Sequence, residues 1–192
     1  MTTDPFAEPT AKPQEALSSG GSFVPLQGIA KGRLVLMLPV ELERDVPSTF
    51  VDPKTGKLRP PGPRLTADIA VLSGEPVFSW LPDGATEAKT FDADDEADGI
   101  PHVFEGVWIN SAPLIDRTED ARRVDLPATM SIGRLDKPKA YTLTAPSAKD
   151  MVIARTWLAT PEGLAFKTKA QELHDARVAA VNGETPSSNP FP

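Results

Sequence analysis

Hydrophobic and polar positions alternate with a period of two between residues 29 and 44. This alternation predicts a long strand with one buried face, because successive side chains of a strand point to opposite faces. We expect the leucine-rich set to face the core, with a bend or bulge at Pro39, which cannot donate a backbone hydrogen bond. That set consists of Leu34, Leu36, Leu38, Val40 and Leu42.

Further strand and helix signals follow along the chain. Strand patterns cover residues 65–72, 77–81, 102–109, 129–139 and 141–146. Ser111 with Pro113 two residues later predicts a short helix between the strand patterns at 102–109 and 129–139, since proline is tolerated in a first helical turn. Ser147 and Asp150 form a capping-box pattern that predicts a helix through residue 158. A further helix is expected over 164–181, after Gly163.

The order of these elements predicts a mainly β fold. We expect an OB-fold-like five-stranded Greek-key barrel with one short helix between strands three and four, a C-terminal helical segment and flexible termini. The predicted organisation is a flexible arm at 1–22, a barrel domain at 23–159, and a helical segment with a disordered tail at 160–192. The side chains expected to be buried are Leu34, Leu36, Leu38, Ile69, Val71, Val107 and Ile109.

Charge is unevenly distributed along the 192 residues. The chain has 20 basic and 27 acidic residues, a net charge of −7, and no cysteine, so disulfides and thiolate metal sites are excluded. The proline-rich stretch 52–64 carries a local positive charge, whereas 87–98 is strongly acidic. We find neither a signal-peptide pattern nor an apolar run that could span a membrane, and therefore expect a cytoplasmic protein.

Basic and aromatic residues form the candidate site for nucleic acid, because Lys and Arg bind phosphates and aromatic rings stack on bases. Phe104 and Trp108 are expected to share one outward face of the 102–109 strand, opposite Val107 and Ile109. The alternative is that these rings, like Phe78 and Trp80, belong to the core. The candidate binding residues are Arg33, Lys54, Lys57, Arg59, Arg64, Phe104, Trp108, Arg134, Lys137 and Lys139.

Metal binding and catalysis have weaker support. Residues 94–105 match the acidic spacing of a calcium loop, with Gly99 and Glu105 at the expected positions. The flanking segments are not predicted to be helices, however, and the alternative is a solvated acidic loop without a metal. The chain has two histidines, His102 and His174, far apart, and no hydrolase, metalloprotease or phosphate-binding motif. We therefore expect no metal, no cofactor and no enzymatic activity.

Several phrases of the chain resemble one family, the single-stranded-DNA-binding proteins of phages that infect actinobacteria. They are GRLVLMLPVELE, TADIAVLSG, FEGVWINSAPLI, IGRLDKPK and APSAKDMVIARTWL, within residues 26–158. The chain lacks the glycine-rich basic stretch that usually follows the second GRL in that family. The resemblance implies a non-catalytic protein that coats single-stranded DNA during phage replication or recombination in the host cytoplasm, and it is compatible with a homo-oligomer.

The final residues, Asn189 to Pro192, resemble the Pro-Phe tip with which bacterial single-stranded-DNA-binding proteins recruit replication and recombination proteins. That tip normally follows a run of aspartates, whereas Glu184 is the acidic residue of 182–192 here. A frayed terminus is the alternative. For the whole protein, the competing function is a phage virion or assembly protein that uses a β-barrel and flexible arms for protein–protein contacts.

Overall fold

The computed structural model describes residues 24–48, 51–52, 54–82, 85–92, 99–120, 130–137 and 140–181. The ends predicted to be flexible, 1–22 and the tail after residue 181, lie outside this set, as do Lys139 and residues 93–98 of the acidic stretch. No helix within the described ranges is long and apolar enough to cross a membrane.

The protein is mainly β, as predicted. Five strands form one antiparallel sheet in the order β5-β2-β1-β6-β7, and β3 pairs with β4 as a separate hairpin. The strands are β1 (Arg33–Val46), β2 (Gly62–Ser73), β3 (Val77–Trp80), β4 (Lys89–Asp92), β5 (His102–Ile109), β6 (Ser131–Asp136) and β7 (Thr142–Thr144). The helices are α1 (Leu26–Ile29), α2 (Ala112–Asp120), α3 (Ala148–Trp157) and α4 (Pro161–Val181).

The sheet is open, which corrects the prediction of a closed barrel. Among the described residues, the edge strands β5 and β7 do not pair with each other. The face that a barrel would enclose is covered instead by α1, α2 and the β3–β4 hairpin, which contribute Ile29, Leu114, Ile115 and Phe78 to a first core. Because these side chains fill the space over the sheet, its apolar face is removed from water without closure of the edges.

The first half of β1, residues 33–39, is buried on both faces rather than on one. Leu34 and Leu36 lie in a second core with Trp157 of α3 and Phe166 of α4. Val35 and Met37, on the opposite face of the strand, lie in the first core. The second core therefore arises because helices cover the outer face of the sheet. All seven side chains expected to be buried are buried.

Helices α2 and α3 begin directly after Ser111 and Ser147, as predicted, whereas α4 begins at Pro161, three residues before its predicted start. The Ser147 side chain accepts a hydrogen bond from the Asp150 backbone N–H, and the Asp150 carboxylate accepts one from the Ser147 N–H, so the capping box is present. Helix α2 lies in the chain between β5 and β6, which are the third and fourth strands of the five-stranded sheet in chain order. Helix α4 places Phe166 and Ala170 in the second core, so packing continues beyond the predicted domain boundary at residue 159.

Candidate nucleic-acid interface

A β-bulge in β5 decides which aromatic side chains face outward. Ile69 pairs with Phe104 and Ala67 pairs with Val107, so two residues of β5 lie opposite Asp68 alone. One of the two is Gly106, whose φ of 66° lies in the left-handed region that glycine tolerates. The extra residue reverses the alternation, so that Phe104 before the bulge and Val107 after it point into the same core.

The bulge therefore corrects the prediction that Phe104 stacks on bases. Phe104 is buried, and its ring packs edge-to-face on that of Phe78 with centroids 4.9 Å apart. Phe78 is likewise buried, and Trp80 packs against the first core. Trp108 lies after the bulge on the opposite face and is 41% exposed, as predicted.

Trp108 forms one layer of a stack with Arg64. The guanidinium carbon of Arg64 lies 4.4 Å from the centroid of the Trp108 ring. The Nε and Nη2 atoms of Arg64 also donate to the same Oε2 atom of Glu43, at 2.8 and 2.7 Å. Glu43 is directly opposite Arg64 in the β1–β2 register. The three side chains therefore form a row across the sheet face that points away from the first core.

A groove of about 550 Å³ lies beside this row, between the sheet and the β1–β2 loop. Trp108, Arg64 and Arg59 line it, together with loop prolines and the polar side chains of Ser48 and Asn110. The combination of an aromatic ring, flat apolar walls and guanidinium groups suits a stacked base with a phosphate close by. We refer to Trp108, Arg64, Arg59 and this groove as the Trp108 surface.

The basic loop continues the β1–β2 hairpin beyond the sheet. Val51 and Leu58 form an isolated antiparallel bridge, and the N–H of Asp52 donates to the carbonyl of Lys57 across the turn. Lys54 and Lys57 are exposed at this tip. The structure thus places both predicted lysines on the same projection that carries Arg59 to the groove.

A buried carboxylate holds the bulge beside Trp108. Asp68 is 2% exposed, and its Oδ1 accepts a hydrogen bond of 2.9 Å from the Gly106 N–H. Lys169 of α4 lies 2.6 Å from Asp68 Oδ2 and 3.3 Å from Glu105 Oε1. Burial opposes the charge of Lys169, but Asp68 and Glu105 outweigh it and raise the pKa of Lys169 above its ordinary value. Helix α4 is thus fastened to the strand that presents Trp108.

This network was missed at the level of sequence. In the alternation of the second strand, Asp68 falls on the same face as Thr66 and Ala70, and the sequence pattern of that face is typical of a face in contact with solvent. The available signal is a short acidic side chain near the centre of a strand, where carboxylates are disfavoured unless they are paired.

Arg33 is part of the core, which corrects its prediction as a DNA contact. It is 1% exposed and its guanidinium donates to the carbonyls of Gly28, Ile29, Glu75 and Val77. Burial lowers the pKa of Arg33, and the charge of Glu75 partly opposes this shift. Because Arg33 is 1% exposed and four of its five N–H donors are bound to carbonyls, its guanidinium cannot reach a phosphate.

Arg134 holds helix α3 to the sheet. Its Nη2 lies 2.6 Å from Asp150 Oδ1, its Nε lies 3.2 Å from Oδ2, and its Nη1 donates to the carbonyl of Gly32. The hydrogen bonds from Arg134 and Ser147 lower the pKa of Asp150 to about 2. The side chain of Arg134 is partly exposed, but this bidentate pair gives it a structural role.

Lys137 lies at the other end of the sheet from the basic loop. Lys137 Nζ is 4.7 Å from the ring centroid of Tyr141. It follows β6, whose Leu135 pairs with Arg33 at the start of β1, whereas the basic loop follows the end of β1. The structure therefore brings Arg59, Arg64 and Trp108 together and leaves Lys137 apart from them.

The structure does not bring together the residues of the predicted calcium loop. Its first acidic positions lie outside the described residues, and Glu105 is paired with Lys169. No group of three or more His, Cys, Asp or Glu side chains that could hold a metal ion occurs in the described part of the chain.

Comparison with known proteins gives no relative from which a function could be transferred. No protein-family description, curated protein or solved structure matches the chain.

Proposed function

We propose that the protein binds single-stranded DNA without sequence preference through the Trp108 surface. The observation that carries this proposal is an exposed tryptophan stacked with Arg64 at the edge of a groove that Arg59 also lines. Base stacking on an aromatic ring is tolerant of sequence, because every base has a π face, and contributes about 1–3 kcal/mol per base. The adjacent cations attract the phosphate backbone.

The connectivity of the sheet supports an OB-like interpretation of the fold. β1 pairs with β2 and β6, β2 pairs with β5, β6 pairs with β7, and α2 lies between β5 and β6. A closed OB barrel with these connections would have one more strand pairing, between the third and fifth strands of the sheet in chain order, which are β5 and β7 here. OB-folds bind oligonucleotides on the face of their second and third strands and on the loop between the first and second. Those elements correspond to β2, β5 and the basic loop, which contain the Trp108 surface.

The biological setting is proposed from the family resemblance. A non-catalytic protein that coats exposed single strands would act in phage DNA replication or recombination. The net charge of −7 is compatible with this role because residues 52–64 carry four basic side chains and one acidic one, a local charge of +3. A polarised surface binds the DNA backbone on one side and repels it on the others.

Titration of fluorescently labelled oligo-dT at several salt concentrations tests the proposal. We expect binding at low salt, with log K falling linearly as log[salt] rises, because bound cations release counterions from the DNA. Replacing both Lys57→Gln and Arg59→Gln should make the slope shallower by about 1 to 1.5, at about 0.7 per lost phosphate contact on a single strand.

A matched control carries the same charge change elsewhere. Lys149→Gln with Arg155→Gln removes two exposed cations from α3, outside the Trp108 surface. We expect the control to change the slope much less than the loop variant does. If the wild-type protein shows no binding to oligo-dT at low salt, the proposal is wrong, and an assembly protein becomes the better interpretation.

A further inference from the structure

Arg64 is already paired with a carboxylate in the free protein, although it lies at the centre of the proposed DNA site. We propose that Glu43 is an intramolecular competitor that occupies the phosphate-binding edge of Arg64 until single-stranded DNA displaces it. This inference rests on the proposed function and specifies how that site is regulated.

The geometry of the pair carries the argument. A guanidinium has two uses, its planar face for stacking and its N–H edges for anions. The face of Arg64 lies on Trp108, and its Nε and Nη2 both donate to Glu43 Oε2. A phosphate oxygen would take these same two donors, since carboxylates and phosphates bind the guanidinium edge in the same way. DNA phosphate and Glu43 therefore cannot use that edge together.

The pair is also placed so that it can exchange. The side chains of Arg64 and Glu43 are 23% and 39% exposed, so both are in contact with solvent. Ion pairs at this level of exposure contribute little net stability and can be displaced by another anion. The stack on Trp108 gives Arg64 a second support, so the guanidinium stays in place when its acceptor changes.

The exchange has a distinct ionic signature. In the wild-type protein, a phosphate bound to Arg64 releases a cation from the DNA, while the freed Glu43 carboxylate attracts cations from solution and offsets part of this release. With Gln at position 43, this offset is absent. The slope of log K against log[salt] for Glu43→Gln should therefore be steeper than that of the wild type, by less than the value of about 0.7 that one phosphate contact contributes on a single strand.

The experiment compares wild-type protein, Glu43→Gln and Glu41→Gln in the oligo-dT titration across a series of salt concentrations. Glu41 is the matched control because it is exposed on the same face of β1, opposite Thr66 rather than Arg64. Both substitutions remove one negative charge beside the site. We expect Glu43→Gln to tighten binding about two- to fivefold, from the measured range for exposed ion pairs.

The outcomes separate this inference from the proposed function. Tighter binding and a steeper slope for Glu43→Gln but not for Glu41→Gln support the competitor. If both variants bind alike, the effect is general charge removal and the competitor is refuted; weaker binding by Glu43→Gln makes Glu43 a support for Arg64 and also refutes it. If wild type and both variants fail to bind, the proposed function is wrong and the competitor falls with it.

Discussion

Replacing Arg33 tests the reassignment of this residue from the DNA site to the core. Arg33→Met keeps a side chain of similar length and removes the guanidinium, which donates to the carbonyls of Gly28 and Ile29 in buried surroundings and to those of Glu75 and Val77 in partly buried ones. Helix α1, the turn before β3 and β3 itself would lose their common partner. The substitution should therefore destabilise the fold.

The magnitude follows from the hydrogen bonds. Each buried acceptor left without a donor costs about 1–3 kcal/mol. The Ile29 carbonyl keeps the Lys31 N–H as a donor. The buried carbonyl of Gly28 and the partly buried carbonyls of Glu75 and Val77 therefore give about 2–5 kcal/mol together. Removing a desolvated charge offsets part of this cost, in agreement with the burial that lowers the pKa of Arg33. We expect a net loss of about 3 kcal/mol, which for a chain of this size lowers Tm by about 10 °C.

Urea denaturation followed by tryptophan fluorescence measures the loss. Arg33→Lys serves as the control because it keeps the positive charge but cannot reach carbonyls on both sides of the guanidinium. It should remain clearly destabilised. The slope of DNA affinity against salt should be unchanged in whatever fraction of Arg33→Met is folded. A variant of wild-type stability with a shallower slope would return Arg33 to the DNA site and refute the structural assignment.

Two further predictions concern Trp108 and Asp150. Trp108→Ala should weaken oligo-dT binding by about 1–3 kcal/mol and remove most of the DNA-dependent quench of tryptophan emission. Its loss of folding stability should be at most about 1 kcal/mol, the contribution of an exposed cation–π pair. A variant that binds DNA normally but unfolds easily would contradict this prediction. Asp150 has its pKa lowered from 3.8 to about 2 by Arg134 and Ser147, so its contribution to stability is complete above pH 4 and is lost as the pH falls towards 2. The Tm difference between wild type and Asp150→Asn should therefore shrink over that window, and a difference independent of pH would count against the ion pair.

Local patterns in the sequence were sufficient for six of the seven strands and for helices α2 to α4, whereas α1 and β4 were not predicted. The eight residues His102–Ile109 form β5 with the predicted bounds, and the capping box at Ser147 begins α3. Both signals are contained within a few neighbouring residues, where period and capping chemistry act directly. The register shift expected at Pro39 is also present, between Pro39 and Glu41. For these elements, tertiary structure agrees with local preference.

The errors arose where one segment depends on a distant one. Burial of Val35 and Met37 needs the first core, while burial of Leu34 needs α3 and α4, and no local pattern reveals that both faces of β1 are covered. Arg33 looks in the sequence like any basic residue at the start of a strand, and its acceptors come from α1, from the turn at 74–76 and from β3, which are distant or not predicted from local pattern. Gly106 was the available sign of a bulge in β5, but unbroken alternation across it put Phe104 on the wrong face.

The position of the Trp108 surface follows from two bulges at the same level of the sheet. Ala67 of β2 pairs with Pro39, just before the extra residue of β1, and with Val107, just after the extra residue of β5. Helix α4 is attached at this level on both sides, through Arg177 to the carbonyl of Pro39 and through Lys169 to Asp68. On one side of the level, the outer face carries Ala70 and Leu72 beneath the helices.

On the other side, the same face of the sheet carries Arg64, Thr66 and Trp108, and Trp108 is 41% exposed there. Bulges increase the local twist of the strands. Both neighbours of β2 are bulged where α4 is fastened. The fold thus leaves a polar and aromatic patch uncovered beside the basic loop, and the features that interrupt the sheet are the ones that expose the proposed DNA site.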